Sequence, residues 1–371
     1  MFKITNQDKT ARNGILEVNG RKAETPFFMP VSTKMTTKLI SVKEVYDMGH
    51  KAVICNGFVL YLEPGVNLIK KNGGMHKFMN FNGLIFTDSG GFQMIMNFEN
   101  KRNDKGVEFI NPINGSKYFV TPEDAVKFQN DLDADCLMCL DDLPKHGTKK
   151  EEVIESLRRT HLWAERCKTS HNGKGLLFGI IQGSIFKDLR EKSAKFIDNL
   201  NFDGISIGGL CIGEGKDLMF EMAKICVKNV SRSKPLYLMG VGSPEDILEA
   251  VDLGVDIFDS KFPAEIARRE SLFTKKGRIN IEKREFKEDF NPVEECCKCE
   301  VCKNFSKAYL HHLVKIKEPL AKRLATLHNL QFIHDLMENI RTSIKENEFQ
   351  KFKKEFLKNY YLQLRLSPFS S

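Results

Sequence analysis

Short apolar runs punctuate this chain, each closing on a polar residue or a glycine and each usually followed by an amphipathic stretch of helical length. Eight such runs occupy 26–31, 52–56, 84–88, 136–141, 177–182, 204–208, 236–240 and 255–259. Between them, 121–131, 149–168, 187–200 and 244–254 place apolar residues three and four apart, the spacing of a helix with one buried face. Two of these stretches open with a full start signal. Thr121-Pro122-Glu123-Asp124 and Ser243-Pro244-Glu245-Asp246 offer a hydroxyl at the cap, a proline at the first helical position and acids in the first turn. Strand and helix in alternation predict a parallel sheet, and eight units predict a closed (β/α)8 TIM barrel, an α/β fold. An open doubly wound sheet shows the same alternation. The even spread of the runs and the lack of a GxGxxG turn after the first of them favour the barrel.

The rhythm breaks at 97–119, where runs at 107–111 and 117–120 flank Asn114-Gly115, a hairpin signal. It stops after Asp259. A segment dense in both charges follows, then a cluster of cysteines, then helical sequence from Ser306 broken near Pro319. The expected organisation is a barrel over 1–265 with a hairpin insertion near 97–120, and a helical subdomain over 266–371. At 371 residues the chain holds one barrel of about 250 residues and an appendage. With 41% hydrophobic and 29% charged residues, disorder, collagen and coiled coil are excluded for the whole chain. The net charge of +8 permits a polyanionic partner without requiring one. No run approaches the length of a membrane span. The N-terminal segment lacks the apolar stretch and small-residue site of a secretory signal, so a cytoplasmic location with reduced or metal-bound thiols is expected.

In a barrel, chemistry collects at the carboxyl ends of the strands. Asn56, Asp88, Asp141, Gln182, Gly208-Gly209, Gly240 and Asp259 fall there. Three carboxylates ending buried strands carry a desolvation cost that calls for work or partners. Two acids facing one pocket suit displacement at an anomeric carbon, one as nucleophile and the other moving a proton. The glycine turns at 88–93 and 207–210 present backbone N–H groups and let a ligand approach closely. Phe92 and Met239 flank these mouths, either as core or as the two faces of a slot for a flat ring. These residues indicate an enzyme acting on a glycosidic or N-glycosidic bond and leave the leaving group open.

The segment Glu295-Cys296-Cys297-Lys298-Cys299-Glu300-Val301-Cys302 is the strongest local signal. Cys297, Cys299 and Cys302 form C-x-C-x2-C, while Cys296, Cys299 and Cys302 make an evenly spaced alternative. Three thiolates so close suit tetrahedral zinc with a fourth ligand among His311, His312, His328 and His334. Four protein ligands leave no open position, so one structural Zn2+ per chain is expected.

FTDSGGFQ (86–93), FGIIQG (178–183), ISIGGLCIGE (205–214), YLMGVGSPEDIL (237–248), VDIFDS (255–260), CKCEVC (297–302) and RLATLHNLQF (323–332) together resemble the tRNA-guanine transglycosylase family, in order and over nearly the whole chain. The size resembles the bacterial form. The resemblance implies a TIM barrel with a zinc subdomain, in an enzyme that exchanges guanine in a tRNA anticodon for a 7-deazaguanine such as 7-aminomethyl-7-deazaguanine or queuine. It implies Asp259 as nucleophile at ribose C1′ and Asp88 as general acid/base. Asp141, Gln182 and the Gly209 backbone would read the purine edge, with Leu210 beside the 7-substituent and Phe92 and Met239 stacked on the ring. Asn56 and Gln93 would orient Asp88. Zinc would be held by Cys297, Cys299, Cys302 and His328. A homodimer is implied in the same way.

Several positions depart from the family pattern. The usual stretch after the nucleophile resembles CVMPTRNAR, whereas 260–268 reads Ser-Lys-Phe-Pro-Ala-Glu-Ile-Ala-Arg. Glu265 thus replaces an arginine expected at the RNA, a reversal of sign beside phosphate. Lys261, Arg268 and Arg269 remain as RNA-binding candidates. Asn56-Gly57-Phe58-Val59-Leu60 replaces NTYHL, Ser184 replaces a glycine, and Asp142-Leu143 replaces an acid–cysteine pair. The expectation is intact chemistry with a remodelled RNA-reading surface. The alternatives are a paralogue that acts on another RNA or DNA site, and a non-catalytic partner subunit.

Overall fold

The structure, a computed structural model, describes residues 1–96, 100–111 and 115–361, with the backbone alone at Gln93, Ile95, Met96 and Asn100. It opens with an antiparallel meander of β1 (Phe2–Asp8), β2 (Ala11–Val18) and β3 (Arg21–Thr25). Leu16, Val18 and Ala23 from this meander pack with the barrel interior and form its floor. Arg12 is buried and fastens the meander to the barrel. Its Nε donates to Asp256 Oδ1 at 2.9 Å and its second Nη to Oδ2 at 2.6 Å, while Asp256 also accepts the Leu236 N–H at 2.7 Å. Such a pair is stable only with its donors matched, and losing one partner costs about 3–5 kcal/mol.

The eight runs seen in the sequence are the eight barrel strands: β4 (Phe27–Pro30), β5 (Ala52–Asn56), β6 (Leu84–Asp88), and, after three strands of an insertion, β10 (Cys136–Met138), β11 (Leu176–Ile181), β12 (Gly204–Ile207), β13 (Leu236–Leu238) and β14 (Ile257–Ser260). All pair in parallel, in the order β4-β14-β13-β12-β11-β10-β6-β5. A parallel bridge between Val31 and Ile54 joins the two ends and closes the ring. Helices Pro122–Asp131 and Pro244–Leu253 start at the capping hydroxyls of Thr121 and Ser243, which accept the N–H of Asp124 and Asp246.

The insertion is a three-stranded antiparallel sheet of β7 (Asn100–Asn103), β8 (Gly106–Ile110) and β9 (Lys117–Val120). Asn114 of the hairpin signal lies outside the described residues. Past β14, the short helix Phe262–Ala267 leads into a hairpin of β15 (Ser271–Thr274) and β16 (Gly277–Asn280). Both are held by the helix Pro319–Lys345, which also runs beneath the barrel to the N-terminal meander. Among the described residues no helix is long and apolar enough to cross a membrane.

Candidate active site

The barrel's interior follows the strand period of two. Phe27 and Met29, Ala52 and Ile54, Leu84 and Phe86, and Phe178 and Ile180 point inward and form one cluster with Cys136, Met138, Tyr237 and Ile257. The next inward position on each strand is Asn56, Asp88, Gln182, Met239 or Asp259. The alternation that fills the floor with apolar side chains therefore delivers four polar side chains and Met239 at the mouth. All five line one cavity of about 460 Å³, together with Phe92, Asp141, Gly209, Leu210 and Lys261.

Asp88 and Asp259 face this same space with different partners. Asp88 Oδ2 accepts from Asn56 Nδ2 at 3.1 Å, and its Oδ1 accepts from the Gly90 N–H at 3.1 Å. Burial pushes its carboxyl up to about 8; the Gly90 bond opposes this, and the charges of Asp259 and Asp141 reinforce it. Asp259 Oδ1 accepts from the Tyr237 hydroxyl at 2.6 Å and from the Gly240 N–H at 2.9 Å. Burial raises this acid too, but both donors favour its anion. The charge of Asp259 favours a proton on Asp88, so one acid can act charged while the other holds a proton. Tyr237 was not anticipated from the sequence: it sits in the apolar run of β13, where an aromatic residue reads as core. Of Gln93, only the backbone is described, so its place beside Asp88 lies outside the described side chains.

Asp141 comes from the segment after β10 and is buried. Its Oδ2 accepts from Gln182 Nε2 at 2.6 Å. Burial raises its carboxyl to about 6, opposed by the Gln182 bond, with the charge of Asp142 adding to the rise. Gln182 Oε1 is buried without a hydrogen-bond partner. Gly209 sits beside it with φ +65°, where a Cβ would fall 2.2 Å from that oxygen. Only glycine fits there, for both conformation and space. The 208–209 turn is braced from behind by Arg190, a buried residue that the sequence reading also passed over. Its Nη atoms donate to the carbonyls of Gly208 at 2.7 Å and Gly209 at 3.0 Å, and its Nε to Ser184 at 2.7 Å. Leu210 is buried, whereas Phe92 is 45% exposed at the mouth, available to a ligand face.

Lys261 lies on the cavity rim two residues beyond Asp259. Its Nζ is 3.4 Å from Glu265, whose other carboxylate oxygen takes Arg269 at 2.7 Å. Glu265 is thus compensated on both sides. Arg268 turns back to donate to the Ala264 carbonyl at 2.7 Å.

Away from the mouth, the ligand atoms of Cys297, Cys299, Cys302 and His328 lie within 4.8 Å of one another. His328 Nδ1 is 3.6 Å from Cys299 Sγ and 3.3 Å from Cys302 Sγ. Its Nε2 meets the Phe273 carbonyl at 2.8 Å, a bond that places the proton there and leaves the Nδ1 lone pair facing the thiols. Three thiols and an oriented imidazole suit a metal ion in a closed, structural role. Cys296 is exposed and outside the group. His311 is engaged with the Ile281 carbonyl at 2.9 Å instead.

The sequence model of the family described as queuine tRNA-ribosyltransferase matches residues 7–362. Among similar proteins, one from Caldanaerobacter subterraneus subsp. tengcongensis is 46% identical over 95% of this chain and 94% of its own length. One from Dehalococcoides mccartyi (strain BAV1) is 44% identical over 96% of this chain and 91% of its own. One from Fusobacterium nucleatum is 42% identical over 97% of this chain and 98% of its own. Each is named queuine tRNA-ribosyltransferase.

Proposed function

This chain belongs to the queuine tRNA-ribosyltransferase family, and from that premise we propose that it exchanges guanine in tRNA for a 7-deazaguanine through a covalent aspartyl–ribose intermediate. The observation that carries the reading is the pairing of Asp88, held towards its protonated form, with Asp259, held by two donors, on one cavity at the barrel mouth.

The target nucleoside has to leave its stack for its C1′ to reach Asp259. An Asp259 oxygen forms a bond to C1′ as the C1′–N9 bond breaks, and the electron pair departs with guanine, which takes the proton of Asp88. The incoming base then gives its N9 proton to Asp88 and bonds to C1′, and Asp259 leaves as carboxylate. One base replaces another with no net change in protons. Tyr237 and Gly240 steady the Asp259 anion before attack and after release. Ionised Asp141 accepts from the N1–H and amino group of the base, since a carboxylate is acceptor-only. Gln182 and the Gly209 backbone address the remaining edge, Leu210 borders the 7-substituent, and Phe92 and Met239 hold the ring faces. Asn56 orients Asp88.

Lys261, Arg268 and Arg269 belong to the proposed tRNA surface. The pairing of Glu265 with Lys261 and Arg269 reduces the sign conflict at this surface and supports tRNA as the target. The metal we assign to Cys297, Cys299, Cys302 and His328 is zinc, one per chain, tying the C-terminal segments together. A homodimer completes the proposal.

Labelled guanine incubated with the protein and total tRNA is expected to enter tRNAs with GUN anticodons. A denaturant-stable protein–RNA band is expected with the parent and lost in Asp259→Asn. Labelling of DNA alone, or a band that survives Asp259→Asn, would overturn the reading. Mass spectrometry of tRNA after reaction with each candidate base identifies the 7-deazaguanine.

A further inference from the structure

The insertion sheet β7–β9 has no counterpart in the barrel repeat, yet it reaches both sides of the base cavity. On one side it packs on the helix that follows Asn56: Val107 and Phe109 are buried, and the Phe109 ring stands 4.7 Å from that of Phe58, edge to face. On the other side it meets Asp142, the residue after Asp141. Arg102 on β7 places a guanidinium nitrogen 2.8 Å from Asp142 Oδ1. Arg159, from helix Lys150–Ser170, donates its Nε to Asp142 Oδ2 at 2.6 Å. Asp142 is fully buried, and its backbone is pinned as well. Its N–H donates to Thr160 Oγ1 at 3.0 Å, and its carbonyl accepts from Ser156 Oγ at 2.6 Å. The same helix grips the β7–β8 turn, with Trp163 Nε1 and Arg166 donating to the Asp104 carbonyl at 3.0 and 2.7 Å.

A buried carboxylate costs several kcal/mol unless its oxygens are matched. Here Oδ2 is hydrogen-bonded by Arg159, while Oδ1, which has no hydrogen-bond donor in line, is compensated by the charge of Arg102 as an ion pair, so the barrel strand end, the helix and the insertion are joined at one point beside Asp141. We infer that the Arg102–Asp142–Arg159 cluster is a positioning latch for the base pocket: it fixes the Asp141 carboxylate against the Asn56–Asp88 wall and screens it from the charge of its neighbour. The inference rests on the proposed role of Asp141 as the group that reads the base. Asp142 and the arginines touch no substrate in this arrangement and act through Asp141.

Among the described residues, the groups facing Asp141 are few. They are Asp142 next in sequence, Asp88 across the cavity, the Cys139 thiol behind, and the neutral Gln182 amide. Arg102 and Arg159 act on it through Asp142, and Glu155 pairs with Arg159 at 2.9 Å. Helix Gly91–Met96, which adjoins Asp141 at Gly91, carries no charged residue. The two ways of disturbing the latch therefore have opposite signs. Arg102→Gln takes away a cation, leaves the Asp142 charge less compensated, and makes Asp141 harder to ionise. Asp142→Asn removes the neighbouring anion and makes it easier.

The test is exchange of labelled guanine into tRNA, with the KM for guanine followed from pH 5 to 8. The parent is expected to lose guanine affinity as pH falls through about 6, as Asp141 takes up its proton. Arg102→Gln is expected to move that limb up, and Asp142→Asn to move it down, each by about half a pH unit or more. In Arg102→Gln the KM for guanine is expected to rise about tenfold, with a smaller loss in kcat. Arg102→Lys, which keeps the charge, is expected to restore the limb to the parent position. Arg102 is one-third exposed, so its variants probe the latch without burying an empty site. If Asp142→Asn fails to fold, the Arg102 pair decides alone. A parent-like limb in Arg102→Gln would overturn the latch while leaving the proposed function standing. No guanine exchange by the parent protein would instead overturn the function itself.

Discussion

At Asp88 the same burial that, in the proposed mechanism, readies a proton for the departing base works against the folded state. Its carboxyl sits at about 8 in the fold, against an ordinary value of 3.8. A raised folded value means that folding must retain a proton the unfolded chain would release. The cost is absent below pH 4, grows as pH rises and is complete above about 8. Asp88→Asn removes that cost and can keep one of the two hydrogen bonds, since its single carbonyl oxygen can accept from Asn56 or from Gly90 but not from both. It is expected to melt above the parent at pH 8 by ~2–5 °C, with the gap closing towards pH 4, while base exchange is lost. In the parent, the first step is expected to slow as pH rises through about 8, where Asp88 no longer holds its proton. Calorimetry across pH and single-turnover release of guanine check the two halves. Melting curves that coincide at every pH would show that no proton is held at this acid. Both carboxylates were legible in the sequence because an acid closing an apolar run stands out. Tyr237 and Arg190 were not, since an aromatic residue in a strand and an arginine on a helix signal nothing until the chain brings Asp259 and the 208–209 turn to them.

Among the elements, the helix Phe262–Ala267 decides how the departure at Glu265 is read. In the sequence Glu265 is an acid where an RNA contact is expected. In the fold it lies one turn from Lys261 and one turn from Arg269 and neutralises part of each. Exposed pairs of this kind contribute about 0.3–0.5 kcal/mol, so phosphate can replace the carboxylate without a large cost. Glu265→Gln is therefore expected to lower the KM for tRNA at low salt and to steepen its salt dependence. Lys261→Ala is expected to raise that KM and to reduce the slope of log affinity against log salt by about one. Weaker tRNA binding in Glu265→Gln would instead make Glu265 a holder of the cations. The barrel itself was legible because all eight strands are buried on both faces and so appear as continuous apolar runs. The N-terminal meander was not. Its first strand is largely exposed, and its second carries Arg12 and Asn13 near its start, polar residues buried by partners more than 200 positions away.

Across the whole molecule, the helix Pro319–Lys345 connects parts the sequence keeps far apart. Near its start His328 faces the three thiols, and the next residue, Asn329, holds the chain just past the proposed nucleophile. Asn329 Nδ2 donates to the Pro263 and Ser271 carbonyls, both at 3.0 Å, and its Oδ1 accepts the Phe273 N–H at 3.0 Å. Near its far end, Arg341 accepts Asn13 Nδ2 on its carbonyl at 2.8 Å and donates to the Pro26 carbonyl at the foot of the first barrel strand. Binding energy at such a metal cluster is folding energy, because the unfolded chain does not assemble the ligands. Loss of the proposed ion is thus expected to reach, one residue along the helix, the Asn329 bonds and the segment after Asp259. A chelator strong enough to strip the metal, or Cys302→Ser, is expected to lower the melting temperature and to loosen 263–273 before the barrel opens. Hydrogen exchange read by mass spectrometry locates that change, and elemental analysis is expected to give one zinc per chain in the parent. Asn329→Ala keeps the metal ligands but cuts the link, so it is expected to loosen 263–273 with zinc content unchanged. Protection of that segment after complete metal removal would show that the metal and Asp259 are structurally independent.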